Sequence, residues 1–311
     1  MHLHDLVLLR KALKQNLTTD SVVNELFSLR SRLSNIKLQV PVLSEEYSNY
    51  IDSLVDTYDQ LIDQVNAPVD DATARLADID QEITSITRTL FANNYELEER
   101  YGTVDYVRNS RRIFVRSDVE EIVKQRILLY SNWKYPALEI GCRDGEWTQH
   151  MVAADPLYIV DRHAEFLDST NNRFPESYQN RLRKYPLNNH ILSALPQGQM
   201  AFIFSWGYFN YVSLDTMKLY LRQVFDLLRP GGTFMFSYND GDTPVGAGMA
   251  ENFAQSYMPK SLLIPLCESL GYNITKEFDF ETITWIEIAK PGTLETVKAH
   301  QVLGEIKRIT V

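Results

Sequence analysis

Apolar positions along the chain follow two different periods. Up to about residue 100 they recur every three or four residues: Val22, Leu26, Leu29, Leu33 and Ile36; then Tyr47, Ile51, Leu54, Tyr58, Leu61 and Val65; then Ala72, Leu76, Ile79, Ile83, Ile86 and Leu90. This 3.5-residue spacing predicts coiled-coil-like helices with a narrow apolar seam. Ser44 suits the N-cap of the second run, with Glu45 and Glu46 in its first turn. Asn66-Ala67-Pro68 interrupts the seam, because proline costs roughly 3 kcal/mol inside a helix. The helices on either side form an antiparallel hairpin or a kinked rod. The seam either closes on a helical core of its own or serves self-association or docking, since so narrow a stripe buries little within one hairpin.

Residues 95–116 read as irregular and end in a basic cluster, Arg108, Arg111, Arg112 and Arg116. These arginines are either solvated or close over a cofactor or an anionic substrate. Ser117-Asp118-Val119-Glu120 is a capping-box sequence that opens a helix with Val119, Ile122, Val123 and Ile127 on one face. Short apolar runs and amphipathic stretches then alternate. Strands are predicted at 137–140, 157–160, 182–185, 200–205, 233–237, 272–278 and 282–289, and helices at 145–154, 164–172, 214–228 and 260–270. Alternation of this kind predicts an α/β fold: a seven-stranded, doubly wound, mostly parallel sheet whose last two strands form an antiparallel hairpin. The expected division is a helical oligomerisation or docking region at 1–100, the α/β domain at 101–290, and a helical tail at 291–311.

Composition narrows the classes. A chain of 311 residues has room for two domains, and 44% hydrophobic with 23% charged residues is neither membrane-like nor disordered. The first residues show no cleavable signal pattern. Cys142 and Cys267 are too few for a disulfide framework or a cysteine-rich zinc site, and no metal is expected. The expected setting is reducing: cytoplasm, or a virus particle assembled there. The net charge of −10 is concentrated early, with 9 basic against 17 acidic residues in the first hundred. No basic face of the kind that binds a phosphate backbone is visible, so bulk nucleic acid and membranes are not expected partners.

The chemistry is concentrated in Ala137-Leu138-Glu139-Ile140-Gly141-Cys142-Arg143-Asp144-Gly145-Glu146-Trp147-Thr148. It reads as a strand, a tight loop and a helix start, where a nucleotide-like ligand binds in an α/β sheet. Glu139, Asp144 and Glu146 would repel a pyrophosphate at that helix start. A cation carrying an amino group and a sulfonium would be welcome, which favours S-adenosylmethionine (SAM) over NAD or ATP.

Four features in order make residues from about 117 to 290 resemble the class I (Rossmann-like) SAM-dependent methyltransferases. They are Glu139-Ile140-Gly141-x-x-x-Gly145; Asp161, closing Leu157-Tyr158-Ile159-Val160-Asp161; the run Ala201–Phe209; and Leu227-Leu228-Arg229-Pro230-Gly231-Gly232-Thr233-Phe234. The resemblance implies that the glycines and Glu139 serve the methionine end of SAM and that Asp161 accepts both ribose hydroxyls. It places Cys142, Arg143, Gly145, Ser205 and Trp206 beside the cofactor, and Asn188 and Asn189 where family members contact adenine. Both asparagines also suit plain turns. Tyr208, Asn210, Tyr211 and Asn239 fall near the acceptor side. Tyr211, Asp240 and His163 are the only candidates for a general base, and an aromatic wall or a turn is the competing role for the first two.

The departures are informative. Arg143 stands where the family often has glycine, so its side chain either narrows the cleft or points outward. Ala201 replaces an aspartate common at the start of the fourth strand, which disfavours magnesium-dependent catechol-type chemistry. No Asn/Asp-Pro-Pro-Tyr/Phe or Pro-Cys signature of base methylation is present. The expected activity is transfer of the SAM methyl to an oxygen, nitrogen or carbon nucleophile of a small molecule, sugar or protein. The competing reading is a structural or assembly protein, such as a virion component, that retains the fold with weak or no activity. Homo-oligomerisation or docking onto a larger assembly through the N-terminal helices is expected under either reading.

Overall fold

The computed structural model describes residues 2–15, 30–31, 55–56, 59, 62, 72–102, 117–280 and 283–293. The seam residues from Val22 to Val65, the break at Pro68, the arginines from Arg108 to Arg116 and the tail from 294 onward lie outside the described residues. The elements in order are α1 (Leu3–Gln15), α2 (Ala72–Tyr101), α3 (Ser117–Tyr130), β1 (Ala137–Ile140), a 3-10 turn (Thr148–His150), β2 (Leu157–Asp161), α4 (Ala164–Asn172), α5 (Glu176–Gln179), β3 (Leu182–Pro186), β4 (Met200–Ser205), a second 3-10 turn (Phe209–Tyr211), α6 (Leu214–Leu227), β5 (Leu228–Tyr238), α7 (Pro244–Glu251), α8 (Lys260–Ser269), β6 (Asn273–Phe280) and β7 (Ile283–Ala289).

The chain divides into two compact units, Met1–Asn94 with Asp240–Pro259, and Tyr95–Asn239 with Lys260–Val311. In the first, Ile79, Ile83 and Leu90 of the predicted seam are buried against Leu6, Leu9 and Leu13 of α1 and against Ala247 and Ala250 of α7. This part of the stripe therefore closes on a core of its own. The α7 helix is absent from the sequence-based expectation, although its start is locally encoded. Its N-cap is Thr243, whose hydroxyl accepts the Gly246 N–H at 3.1 Å, and Pro244 follows at the first helical position.

The second unit is a single seven-stranded sheet of order β3-β2-β1-β4-β5-β7-β6. The pairs from β3 to β5 are parallel, and β7 is antiparallel to both β5 and β6. This is the predicted mostly parallel architecture with its terminal hairpin. Strands β1 and β4 are buried along their whole length, as continuous apolar runs require when helices cover a parallel sheet. The α3 face predicted from the capping box is also present, with Val119, Val123 and Ile127 buried.

Three local expectations are corrected. No helix occupies 145–154; only the Thr148–His150 turn forms. Gly145 has φ +77°, the Thr148 hydroxyl turns inward to donate to Glu139, and the Trp147 ring packs on Trp206 at 5.3 Å. These tertiary contacts draw the segment away from a regular helix. Residues 95–101 are helical rather than irregular, because α2 continues to Tyr101. The Pro230-Gly231-Gly232 phrase is already in strand, since β5 begins at Leu228 with a register shift against β4 between Met200 and Phe202.

Candidate functional site

The carboxyl ends of parallel strands are where ligands bind in open α/β sheets. Here β1 ends in Glu139 and Ile140, and the loop after it is held by local hydrogen bonds. The Gly141 N–H donates to Val160 O at 2.8 Å and the Gly145 N–H to Cys142 O at 2.9 Å. Gly141 has φ +77°, and a Cβ added to it would lie 2.7 Å from the Tyr208 ring. Only glycine accommodates both conditions. At Gly145 the close neighbour is Thr170 of α4, 2.9 Å from an added Cβ.

Asp161 closes β2 beside this loop and is 4% exposed. Its two carboxylate oxygens accept the backbone N–H groups of Arg143 (3.1 Å) and His163 (3.0 Å). Burial pushes its pKa up, and those two hydrogen bonds with the nearby His163 and Arg143 charges oppose the rise. Arg143 takes up φ +47°, and its carbonyl accepts the Thr170 hydroxyl at 2.9 Å. Its backbone shapes the loop around Asp161.

Glu139 is 2% exposed, accepts the Thr148 hydroxyl, and is pushed up to about 8 by burial, with the Asp161 charge adding to the effect. At neutral pH it is mostly protonated. The sequence-based picture of three carboxylates crowding a helix start therefore needs correction on two counts: the helix is absent, and one acid carries a proton. Burial likewise pushes the Cys142 thiol well up, so it is an inert filler of the loop.

The other candidates scatter. The Ser205 hydroxyl donates to Ile140 O at 2.8 Å, tying β4 to β1. Trp206 is buried between Phe204 and Trp285, and its indole N–H has no acceptor among the described residues. Tyr208 is buried, with its hydroxyl 2.8 Å from that of Tyr220. Asn210 Oδ1 accepts the Ser237 hydroxyl at 2.9 Å. Tyr211 stacks on Tyr101 at 4.2 Å. Asn188 and Asn189 are exposed beyond β3, with Asn189 at φ +49°. His163 precedes α4, and burial lowers its pKa. Asn239 is buried just after β5. Asp240 belongs to the other compact unit, where Oδ1 accepts the Asp242 N–H at 3.0 Å and its carbonyl accepts Thr243.

Four residues at this edge were missed: Tyr101, Thr148, Glu98 and His190. Glu98 accepts the Ser213 N–H (2.7 Å) and the Thr216 hydroxyl (2.7 Å) and pairs with His190 (3.0 Å). Burial pushes Glu98 up, yet the hydrogen bonds from His190, Ser213 and Thr216 outweigh it and hold the carboxyl at about 2. A cavity of about 420 Å³ opens beside this cluster and Arg162. A Glu-Glu-Arg-Tyr helix end carries no motif that marks such a role. Among the described residues, no group of three His, Cys, Asp or Glu side chains could hold a metal ion.

Residues 138–234 match the family model described as a methyltransferase domain. No curated protein matches the chain in sequence. Among solved structures, it is similar to a SAM-dependent methyltransferase from Mesorhizobium loti (14% identity, TM-score 0.45, covering 55% of this chain and 97% of that one). It is also similar to the N-methyltransferase NodS from Bradyrhizobium japonicum in complex with S-adenosyl-L-homocysteine (14% identity, TM-score 0.45, covering 64% and 98%). A third is the Haloferax volcanii complex of the Trm112 methyltransferase activator with a methyltransferase (11% identity, TM-score 0.48, covering 63% and 98%). The matched residues run from β1 into β5, so this part of the sheet is similar to a methyltransferase domain.

Proposed function

We propose that the domain binds SAM at the Gly141–Gly145 loop and Asp161 and transfers its methyl group to an oxygen, nitrogen or carbon nucleophile of a small molecule, sugar or protein side chain. One observation carries the reading. At the carboxyl ends of β1 and β2 a positive-φ glycine loop is hydrogen-bonded to a rigidly held carboxylate at Asp161, next to a buried carboxyl at Glu139 held by Thr148. That donor set fits the cofactor. Asp161, fixed by two backbone N–H groups, keeps lone pairs for a diol. Gly141 and Gly145 bring backbone close, and Glu139 offers a carboxyl to an ammonium group.

When bound, the cofactor would supply an electrophilic methyl group with a neutral thioether as its leaving group, to an acceptor that gives up its proton to solvent or a base. The protein's contribution is then mostly orientation, which is worth several kcal/mol when reacting atoms are held in line. Asp161 and the loop hold one reactant by both ends. Tyr211 and His163 stay candidates for a base, and the acid-base role of Asp240 is the weakest because its carboxyl caps a turn. The test is calorimetric titration of the full chain with SAM and with S-adenosylhomocysteine. Saturable heat with both supports the reading; native protein showing none with either, in wild type and in Tyr101→Ala alike, removes it.

A further inference from the structure

The last two turns of α2 pack on the segment between β4 and α6, whose Tyr208 covers the loop assigned above to the cofactor. Tyr101 is only 5% exposed. Its ring stacks on Tyr211 at 4.2 Å and 5°, meets Tyr208 edge-on at 6.2 Å, and its hydroxyl donates to Gly207 O at 3.4 Å. Tyr208 in turn covers the position where a Gly141 side chain would start. Asp161 and Arg143 are close enough for their charges to act on the Tyr101 phenol. One aromatic side chain from α2 thus packs on the segment after β4 and reaches the β1 loop through the Tyr208 ring.

This helix end is fastened by polar contacts. Glu98, one turn before Tyr101, bonds Ser213, Thr216 and His190 as described above. Its carboxylate sits at the N-terminus of α6, where the helix dipole favours a negative charge. Tyr95 donates its hydroxyl to Asp215. Gly102 closes against Arg162, whose guanidinium would be 2.9 Å from an added Cβ.

We propose that Tyr95–Gly102 is a latched plug: the structure is the cofactor-excluding state, Tyr101 backs the Tyr208 ring that covers the Gly141 loop, and Glu98 is the latch that holds it there. The proposal rests on the cofactor site proposed above and concerns its regulation. A plug lowers apparent affinity in proportion to the fraction of molecules in which it is open, so loosening the latch tightens binding. A tyrosine that instead formed a wall of the site would show the reverse.

S-adenosylhomocysteine is titrated calorimetrically into the full chain, into Tyr101→Ala and into Glu98→Gln, each shown to melt cooperatively. Both variants should bind tighter than wild type, by about tenfold if the open form is a tenth of the population. In wild type, saturation with the ligand should speed amide hydrogen exchange across 95–102. Weaker binding by Tyr101→Ala, or slower exchange across 95–102 on binding, overturns the plug and makes Tyr101 part of the site's wall. Should Tyr101→Ala fail to fold, Glu98→Gln and the wild-type exchange decide: unchanged affinity and unchanged exchange overturn the proposal. Folded protein that binds in none of the three forms removes the cofactor site itself, and the plug with it.

Discussion

The Arg143 backbone N–H donates to the Asp161 carboxylate at 3.1 Å, so the loop after β1 is tied to the end of β2 by a main-chain group. Any residue other than proline supplies that N–H, so the bond does not depend on the arginine side chain. Arg143 makes it at a left-handed φ of +47°.

Asp161→Ala removes the shared acceptor of the Arg143 and His163 N–H groups. Hydrogen bonds to charged groups contribute about 1.5–3 kcal/mol each. The variant should therefore bind S-adenosylhomocysteine at least about tenfold more weakly. Calorimetry of the variant against wild type measures it, and an unchanged affinity would exclude Asp161 from the site.

Glu139 makes stability and binding depend on pH in opposite directions. Its carboxyl titrates near 8 in the folded protein against 4.5 for the unperturbed group, so the native state holds a proton that the unfolded chain releases. Its contribution to stability is therefore lost progressively as pH rises from about 4.5 to about 8. Glu139→Gln keeps an acceptor for Thr148 and removes the titration. Its melting temperature should gain on wild type as pH rises through that window. An ammonium-bearing ligand favours the ionised carboxyl, so wild-type affinity should rise with pH up to about 8 with proton release on binding. Titrations in buffers of different ionisation enthalpy read that release directly.

Gly141→Ala would force a Cβ to within 2.7 Å of Tyr208 at a φ of +77°. The left-handed backbone alone costs about 1–2 kcal/mol, and the displaced tyrosine adds to it. Urea unfolding should show the loss, and replacing Tyr208 by a smaller residue in the same chain should recover the steric part.

Glu287 on β7 is fully buried and is paired by Arg126 of α3, with Nε 2.7 Å from Oε1, and by the Tyr130 hydroxyl at 2.6 Å. Arg126→Met leaves that carboxylate without its cation. Breaking a buried pair from one side costs about 3–5 kcal/mol. Urea unfolding of Arg126→Met should approach that loss, and a second substitution Glu287→Met should restore much of it.

Much of this architecture was legible because it is local. The strand at 200–205 and the helix at 164–172 appear with their predicted limits, since an unbroken apolar run and an amphipathic nonamer each encode their own conformation. Gly141, Gly145 and Asp161 were legible for the same reason: chain reversal needs positive φ, and the acid closes a strand. The helix expected at 145–154 failed because Thr148 and Trp147 satisfy distant partners, Glu139 and Trp206, instead of the helical pattern.

By itself the sequence determined the order of strands and helices, the glycine loop and the carboxylate that follows the second strand, because short-range periodicity and backbone stereochemistry suffice for these. Only the tertiary structure decided that Glu139 carries a proton, that Ser205 is a strut, and that Tyr101 reaches the loop from a helix well upstream in the chain. Each of those depends on desolvation or on contacts between residues far apart in the chain, and neither is written in any local pattern.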